Sequence, residues 1–445
     1  MEDGLGSGHF IEPFHLHPSV SCLVDPPRGN AASSGVLEPK QLTDRLHQLL
    51  PAALEQLRGM VEINSFTGHR EGVNRLGRFT AECFGPLGFK PEFVPSTNPE
   101  YGDHLVLTRP GHAPSSIAMI SHLDTVFPPE EEARNNFRWR PDGDRIYGPG
   151  THDIKGGTVM MWLVLSVLQR ECAELFERLA WRLFWNSSEE TLSPDFADVC
   201  RRRFGNDPRA ALVFEAEGRL GNEKLMVVAR KGRATWRATV SGRSSHAGAK
   251  HAHGANAIVE LGRVVQAIAG LTDYKRQLTF NVGQVTGGTV LNRVPHEAVA
   301  QGEMRAFDPE VYAQAKAALL ALNGPGTTFS PVDRFACCTH VEILSETRPW
   351  PRNPGTDGLA ALWQEAGKEL GLAVNIEERG GLSDGNLLWD AVPTLDGLGP
   401  WGDNDHCSEW SADGSKVPEY VEVSSFVPKA LLNTWAILKL AAAAR

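Results

Sequence analysis

Three short apolar runs in this chain of 445 residues each stop at a charged or imidazole cluster, and that placement constrains the fold more than any other feature. SSIAMIS runs into His122-Leu123-Asp124, LAWRLFWNS ends at Glu189-Glu190, and ALVFE ends at Glu215. Short apolar runs between turn signals read as buried strands, and open α/β sheets gather their ligands just beyond such strand ends. The three clusters are therefore expected to converge on one sheet edge.

The surrounding chain alternates in the same sense. From residue 38, LTDRLHQLLPAALEQLRGMVEI reads as helical, a second helical stretch follows in EGVNRLGRFTAECFGPLG, and strand-like segments lie around 104–108 and 116–121. Between 231 and 344 the texture changes. RATWRATVSG, LTFNVGQVTG and AVAQGEMRAF alternate apolar with polar residues around one helical run, ANAIVELGRVVQAIAGL, and another helix is expected over 309–322. The length favours two domains. The expected fold class is α/β, with a larger mixed-sheet domain over 38–230 and 345–445 and a smaller α+β domain inserted at 231–344. Residues 1–37, rich in Gly, Pro, Ser and His without periodicity, read as an N-terminal extension.

A formal charge of -10 argues against nucleic acid or an anionic membrane as the main partner, and no apolar run reaches the ~18 residues of a membrane span. The opening MEDGLGSGHF does not resemble a secretory signal, and the seven cysteines form no C-x-x-C pair, which together suit a reduced, cytoplasmic setting. A small-molecule substrate is the expected partner.

His122, Asp153, Glu190, Glu215 and His406 offer two imidazoles and three carboxylates, enough for two metal ions if one carboxylate bridges. Taken singly, each residue also suits a plainer role as a polar cap. The period of two in His122-Leu123-Asp124 puts both polar side chains on one side of a strand, where Asp124 can hold the far ring nitrogen of His122. Asp153, in YGPGTHDIKGGTVMMWLVL, alone reads as a helix N-cap. An extended backbone at Glu189-Glu190 would turn one carboxylate to metal and the other to substrate.

With these motifs in this order, the chain resembles the M20 metallopeptidases, a family that includes glutamate carboxypeptidases, aminoacylases and succinyl-diaminopimelate desuccinylases. The resemblance spans nearly everything after residue 38. It implies two zinc ions, with cobalt or manganese as alternatives. His122, oriented by Asp124, and Glu215 would serve the first ion, Glu190 and His406 the second, and Asp153 would bridge them, while Glu189 acts as general base. Glu217, in VFEAEG, is the rival of Glu215. The resemblance also makes the insert a lid and dimerisation domain. His246, in SGRSSHAGAK, would reach a partner subunit's site and stabilise the oxyanion, Asn292 and Arg305 are further lid positions, and Arg348 would grip a substrate carboxylate or form an ion pair.

The implied activity is hydrolysis of an amide bond in an N-acyl amino acid or dipeptide-like substrate with a free carboxylate, recognised by Arg348 and Arg305, in a homodimer. Carboxypeptidase and aminoacylase both fit. A reading of a different class is an M20-like protein that binds without hydrolysing, against which the intact ligands and Glu189 count. The chain departs from the family's usual texture at His152, before the bridging Asp153, and in the polar GDNDHCSEW around His406, where Asp403 and Asp405 tune a metal or decorate a loop. His251, His253 and His340 read as structural or exposed.

Overall fold

In the computed structural model, which describes residues 38–191, 193–221 and 223–442, the apolar runs form one six-stranded mixed sheet. The extension expected over 1–37 lies outside the described residues. Across the sheet the order is Lys90–Pro95, Asp103–Arg109, Ala180–Asn186, Ser115–His122, Asp207–Val213 and Thr394–Leu395. The first three strands pair antiparallel and the remaining pairings are parallel.

Alternation along these strands feeds two cores. Ile117, Met119, Leu183 and Trp185 enter one cluster with the helices Pro39–Val61, Lys155–Glu171, Pro354–Leu370 and Phe426–Ala442. Ala118, Ile120 and Phe184 enter the other, with Phe196 and Val199 of the helix Pro194–Arg201. A sheet covered on both faces explains why its strands read as continuous apolar runs.

Residues 232–347 build a second layer around a separate core. Its five strands run in the order Thr279–Gly287, Glu297–Ala306, Gly232–Ser241, Ala336–Thr347 and Gly324–Phe329, all antiparallel. Ala234, Trp236, Ala238 and Val240 are buried there beneath Leu261 and Ile268 of the helix Ala257–Ala269, with Leu319 of the helix Pro309–Leu320 in the same cluster. Both helices begin at side-chain caps: Asn256 accepts from the Ile258 and Val259 N–H groups, and Asp308 from Glu310 and Val311. The strand Ala336–Thr347 runs on past the boundary expected at 344, because its pairing with Gly232–Ser241 continues to Thr347 opposite Arg233.

Trp236 and the neighbouring strand approach so closely at Gly302 that a Cβ there would stand 1.9 Å from the Asn281 carbonyl oxygen and 2.5 Å from the indole. Gly302→Ala should therefore lower stability by about 1–3 kcal/mol through overpacking, seen as a lower melting temperature. An unchanged melting curve would contradict this packing.

Candidate metal centre

The strand Ser115–His122 delivers His122 beside a cavity of about 960 Å³, whose lining includes Asp153, Glu189, Glu190, Glu215 and His406. His122 Nε2 lies 3.0 Å from Asp153 Oδ1 and 3.9 Å from Glu215 Oε1. The other Asp153 oxygen lies 3.3 Å from His406 Nε2, which is also 3.3 Å from Glu190 Oε2. Asp153 thus stands between two donor sets, His122 with Glu215 and His406 with Glu190. Potential ligand atoms of His122, Asp153 and Glu190 fall within 4.8 Å of one another, as do those of Asp153, Asp405 and His406.

Asp153 is not a helix cap. The helix Lys155–Glu171 begins after Ile154 without a side-chain cap, and the Asp153 carboxylate turns to the two imidazoles instead. Its backbone N–H and that of His152 donate to the buried Glu419 carboxylate at 3.1 and 2.8 Å, which fixes the turn. His406 sits at φ 64°, a left-handed conformation rare for a residue with a side chain, held by the Cys407 N–H to Asn404 carbonyl bond beside it.

The backbone at Glu189-Glu190 is a short 3-10 turn, Glu189–Thr191, and not the extended segment expected. Asp124 causes the difference: its two carboxylate oxygens accept the N–H groups of Glu189 at 3.0 Å and Glu190 at 3.3 Å, and Thr67 donates a third bond at 2.7 Å. His122 Nδ1 is 3.0 Å from the Asp124 backbone carbonyl and 3.5 Å from its carboxylate. Asp124 therefore positions both the imidazole and the acidic turn.

The donor set suits divalent cations. Burial pushes Glu189 and Glu215 well above the usual carboxylate range, and neighbouring carboxylates push the same way. Glu190 is pushed up to about 7, by burial first and then by Asp153. Burial also raises Asp153, yet hydrogen bonds from His122 and His406 leave it below its ordinary value. Hydrogen bonds to Asp153 and Glu190 raise His406 to about 11. Crowded buried carboxylates interleaved with imidazoles are relieved by cations that both ligand types accept.

Glu217 has other obligations. Its carboxylate takes Lys429 at 3.2 Å and Lys224 at 3.1 Å, and the Glu217 and Lys429 side chains are buried. Glu215 faces His122.

The remaining expected residues separate. Arg305 lines the cavity. Arg348 does not: it sits beyond the strand Ala336–Thr347, 61% exposed, paired at 2.9 Å with Asp390, which also holds Arg201. His246 and Asn292 lie on two adjoining exposed loops of the inserted layer, joined by the Ala247 N–H to Asn292 carbonyl bond, and neither lines this chain's cavity. Arg233, Arg230 and Arg379 line it without having been anticipated. For Arg233 a signal existed in GRATWRATVS, where it falls opposite in parity to the buried Ala234 and Trp236.

Residues 228–323 match the peptidase dimerisation domain of the M20 type. Carboxypeptidase G2 of Pseudomonas sp. (strain RS-16) is 28% identical over 389 residues, 86% of this chain and 87% of that protein. A succinyl-diaminopimelate desuccinylase of Methylobacterium radiotolerans is 25% identical, covering 79% of this chain and 89% of its own. Among solved structures, a tripeptidase from Staphylococcus aureus shares the fold with a TM-score of 0.69 at 20% identity, over 88% of this chain and 99% of that one. An M20 family metallo-carboxypeptidase from Sulfolobus solfataricus does so at 0.63 and 15%, over 87% and 99%.

Glu215 and Glu217 are separable by experiment. Glu217→Ala strands a buried lysine and should destabilise the chain by about 3–5 kcal/mol while leaving metal uptake intact. Glu215→Ala should lower metal content at little change in melting temperature. The reverse pattern, read by metal analysis and thermal melts, would exchange their roles.

Proposed function

We propose that this chain, a metal-dependent hydrolase of the M20 type, uses two zinc ions to cleave the amide bond of an N-acyl amino acid or dipeptide-like substrate carrying a free carboxylate. The observation that carries this reading is the Asp153 carboxylate, one oxygen 3.0 Å from His122 and the other 3.3 Å from His406. Glu215 beside the first imidazole and Glu190 beside the second complete two donor sets of the kind zinc favours. Bound there, the ions would supply Lewis acidity toward the scissile carbonyl and toward water.

The chain's own groups do the rest. Glu189 lines the cavity with its backbone anchored on Asp124, so its carboxylate stands beside the donor sets without belonging to either. Hydrolysis adds a water hydroxyl to the acyl carbon and breaks the C–N bond. Glu189 accepts the water proton and delivers it to the leaving nitrogen. Arg305, which lines the same cavity, supplies positive charge for a substrate carboxylate.

His246 contributes from a second copy in this proposal. Its Nδ1 accepts the Gly248 and Ala249 N–H groups at 3.1 and 3.0 Å, which leaves the ring proton on Nε2, pointing a donor outward. Pairing of two chains through the inserted layer fits the exposed Val285 on its edge strand and the fully exposed Leu291 nearby. No helix among the described residues is long and apolar enough to cross a membrane. The six described cysteines are all unpaired, which supports a reducing, cytoplasmic location.

Glu189→Ala should retain the metal content of the unaltered chain and lose at least roughly 100-fold in hydrolysis of a screened panel of N-acyl amino acids and dipeptides. Unaltered chain that holds both ions yet hydrolyses none of the panel would contradict the proposed reaction.

A further inference from the structure

Strand pairing sets Arg233 directly opposite Arg305, and both side chains line the cavity. Like charges at directly opposed positions destabilise a sheet unless something neutralises them. Arg305 is neutralised within the chain: its Nε and Nη2 donate to Glu303 at 2.8 and 3.1 Å, and its Nη1 to the Gly380 carbonyl at 2.8 Å. Two further arginines of the cavity are tied in the same way, Arg230 to Asp396 at 2.7 Å and Arg379 to Glu377 at 2.6 Å.

Arg233 differs from all of them. Its Nε is buried and makes no hydrogen bond, and none of the ion pairs among the described residues includes it. Its other strand neighbour is the neutral Thr347. Burial and the Arg305 charge hold its pKa below the ordinary arginine value, while Glu303 and Glu189 act in the opposite sense. Lys231, on the same segment, adds positive charge and is likewise held down by burial and Arg305. Arg233 and Arg305 share the lining of the cavity with Glu189. A guanidinium without an ion-pair partner on a side chain that lines the cavity matches a planar anion bidentately, which an ammonium does not.

We propose that Arg233 is the specificity-determining residue for the substrate carboxylate, with Arg305 held by Glu303 as its flanking charge. The assignment rests on the reading of the cavity as the site of amide hydrolysis, and it moves to Arg233 the role that the sequence suggested for Arg348. A carboxylate between the two guanidinium groups removes their repulsion and gives the Arg233 guanidinium the counter-charge it lacks within the chain. A neutral carboxamide does neither as well, because it brings no charge and turns an N–H donor toward donors.

Isothermal titration of the metal-loaded chain with N-methanesulfonyl-L-alanine, a sulfonamide that amide hydrolysis does not consume, and with its carboxamide tests this directly. The unaltered chain should bind the acid about tenfold tighter or more, the ratio expected of a charge-assisted hydrogen bond. In Arg233→Met that preference should fall close to unity while carboxamide affinity stays unchanged, and Arg233→Lys should restore part of it. Arg348→Met should leave the preference intact. Equal weakening of both ligands in Arg233→Met, an unaltered preference, or no preference in the unaltered chain would overturn the proposal. An Arg233-dependent preference in a chain that hydrolyses no amide would instead sustain the anion site and overturn the proposed reaction, so the two fail separately.

Discussion

One carboxylate offered to two imidazoles is the arrangement on which the rest of the site depends. Asp153 can meet His122 and His406 together only because a buried sheet ends at the first and a left-handed loop residue presents the second. Bringing this much negative charge out of water is unfavourable unless cations or protons compensate. The upward shifts of Glu189, Glu190 and Glu215 express that demand, and divalent ions answer it with the ligand types at hand.

The fold holds the arrangement from behind with hydrogen bonds. Glu419 fixes the His152-Asp153 turn, and Asp124 ties His122 to the Glu189-Glu190 turn. The ligand groups and the proposed proton carrier are thus parts of one connected frame. Arg233 and Arg305 come instead from the separately cored inserted layer. The cavity lining thus joins carboxylates of one layer, with Arg230 and Arg379 beside them, to two arginines of the other.

The strand-end clusters were legible in the sequence because apolar runs buried on both faces leave a signal that polar termini interrupt. Residues whose partners are distant in the chain were not. The choice between Glu215 and Glu217 turns on Lys429, 212 positions away, which neutralises Glu217 and leaves Glu215 to face His122. The extended backbone expected at Glu189-Glu190 failed for the same reason, since Asp124 captures both N–H groups from 65 and 66 residues away. Arg348 read equally as a substrate contact or an ion pair, and only the fold brings Asp390, 42 positions away, to pair with it. Alternation placed Arg233 on the open face of its strand, but only the folded chain reveals that Arg230, Arg305 and Arg379 have found carboxylate partners while the Arg233 Nε has none.

Anomalous diffraction at the zinc edge from crystals of the zinc-loaded chain tests most directly whether Asp153 joins two metal sites. The expected map holds two peaks flanking Asp153, one beside His122 and Glu215 and the other beside His406 and Glu190. A single peak, or peaks that leave Asp153 without a metal contact, would contradict it.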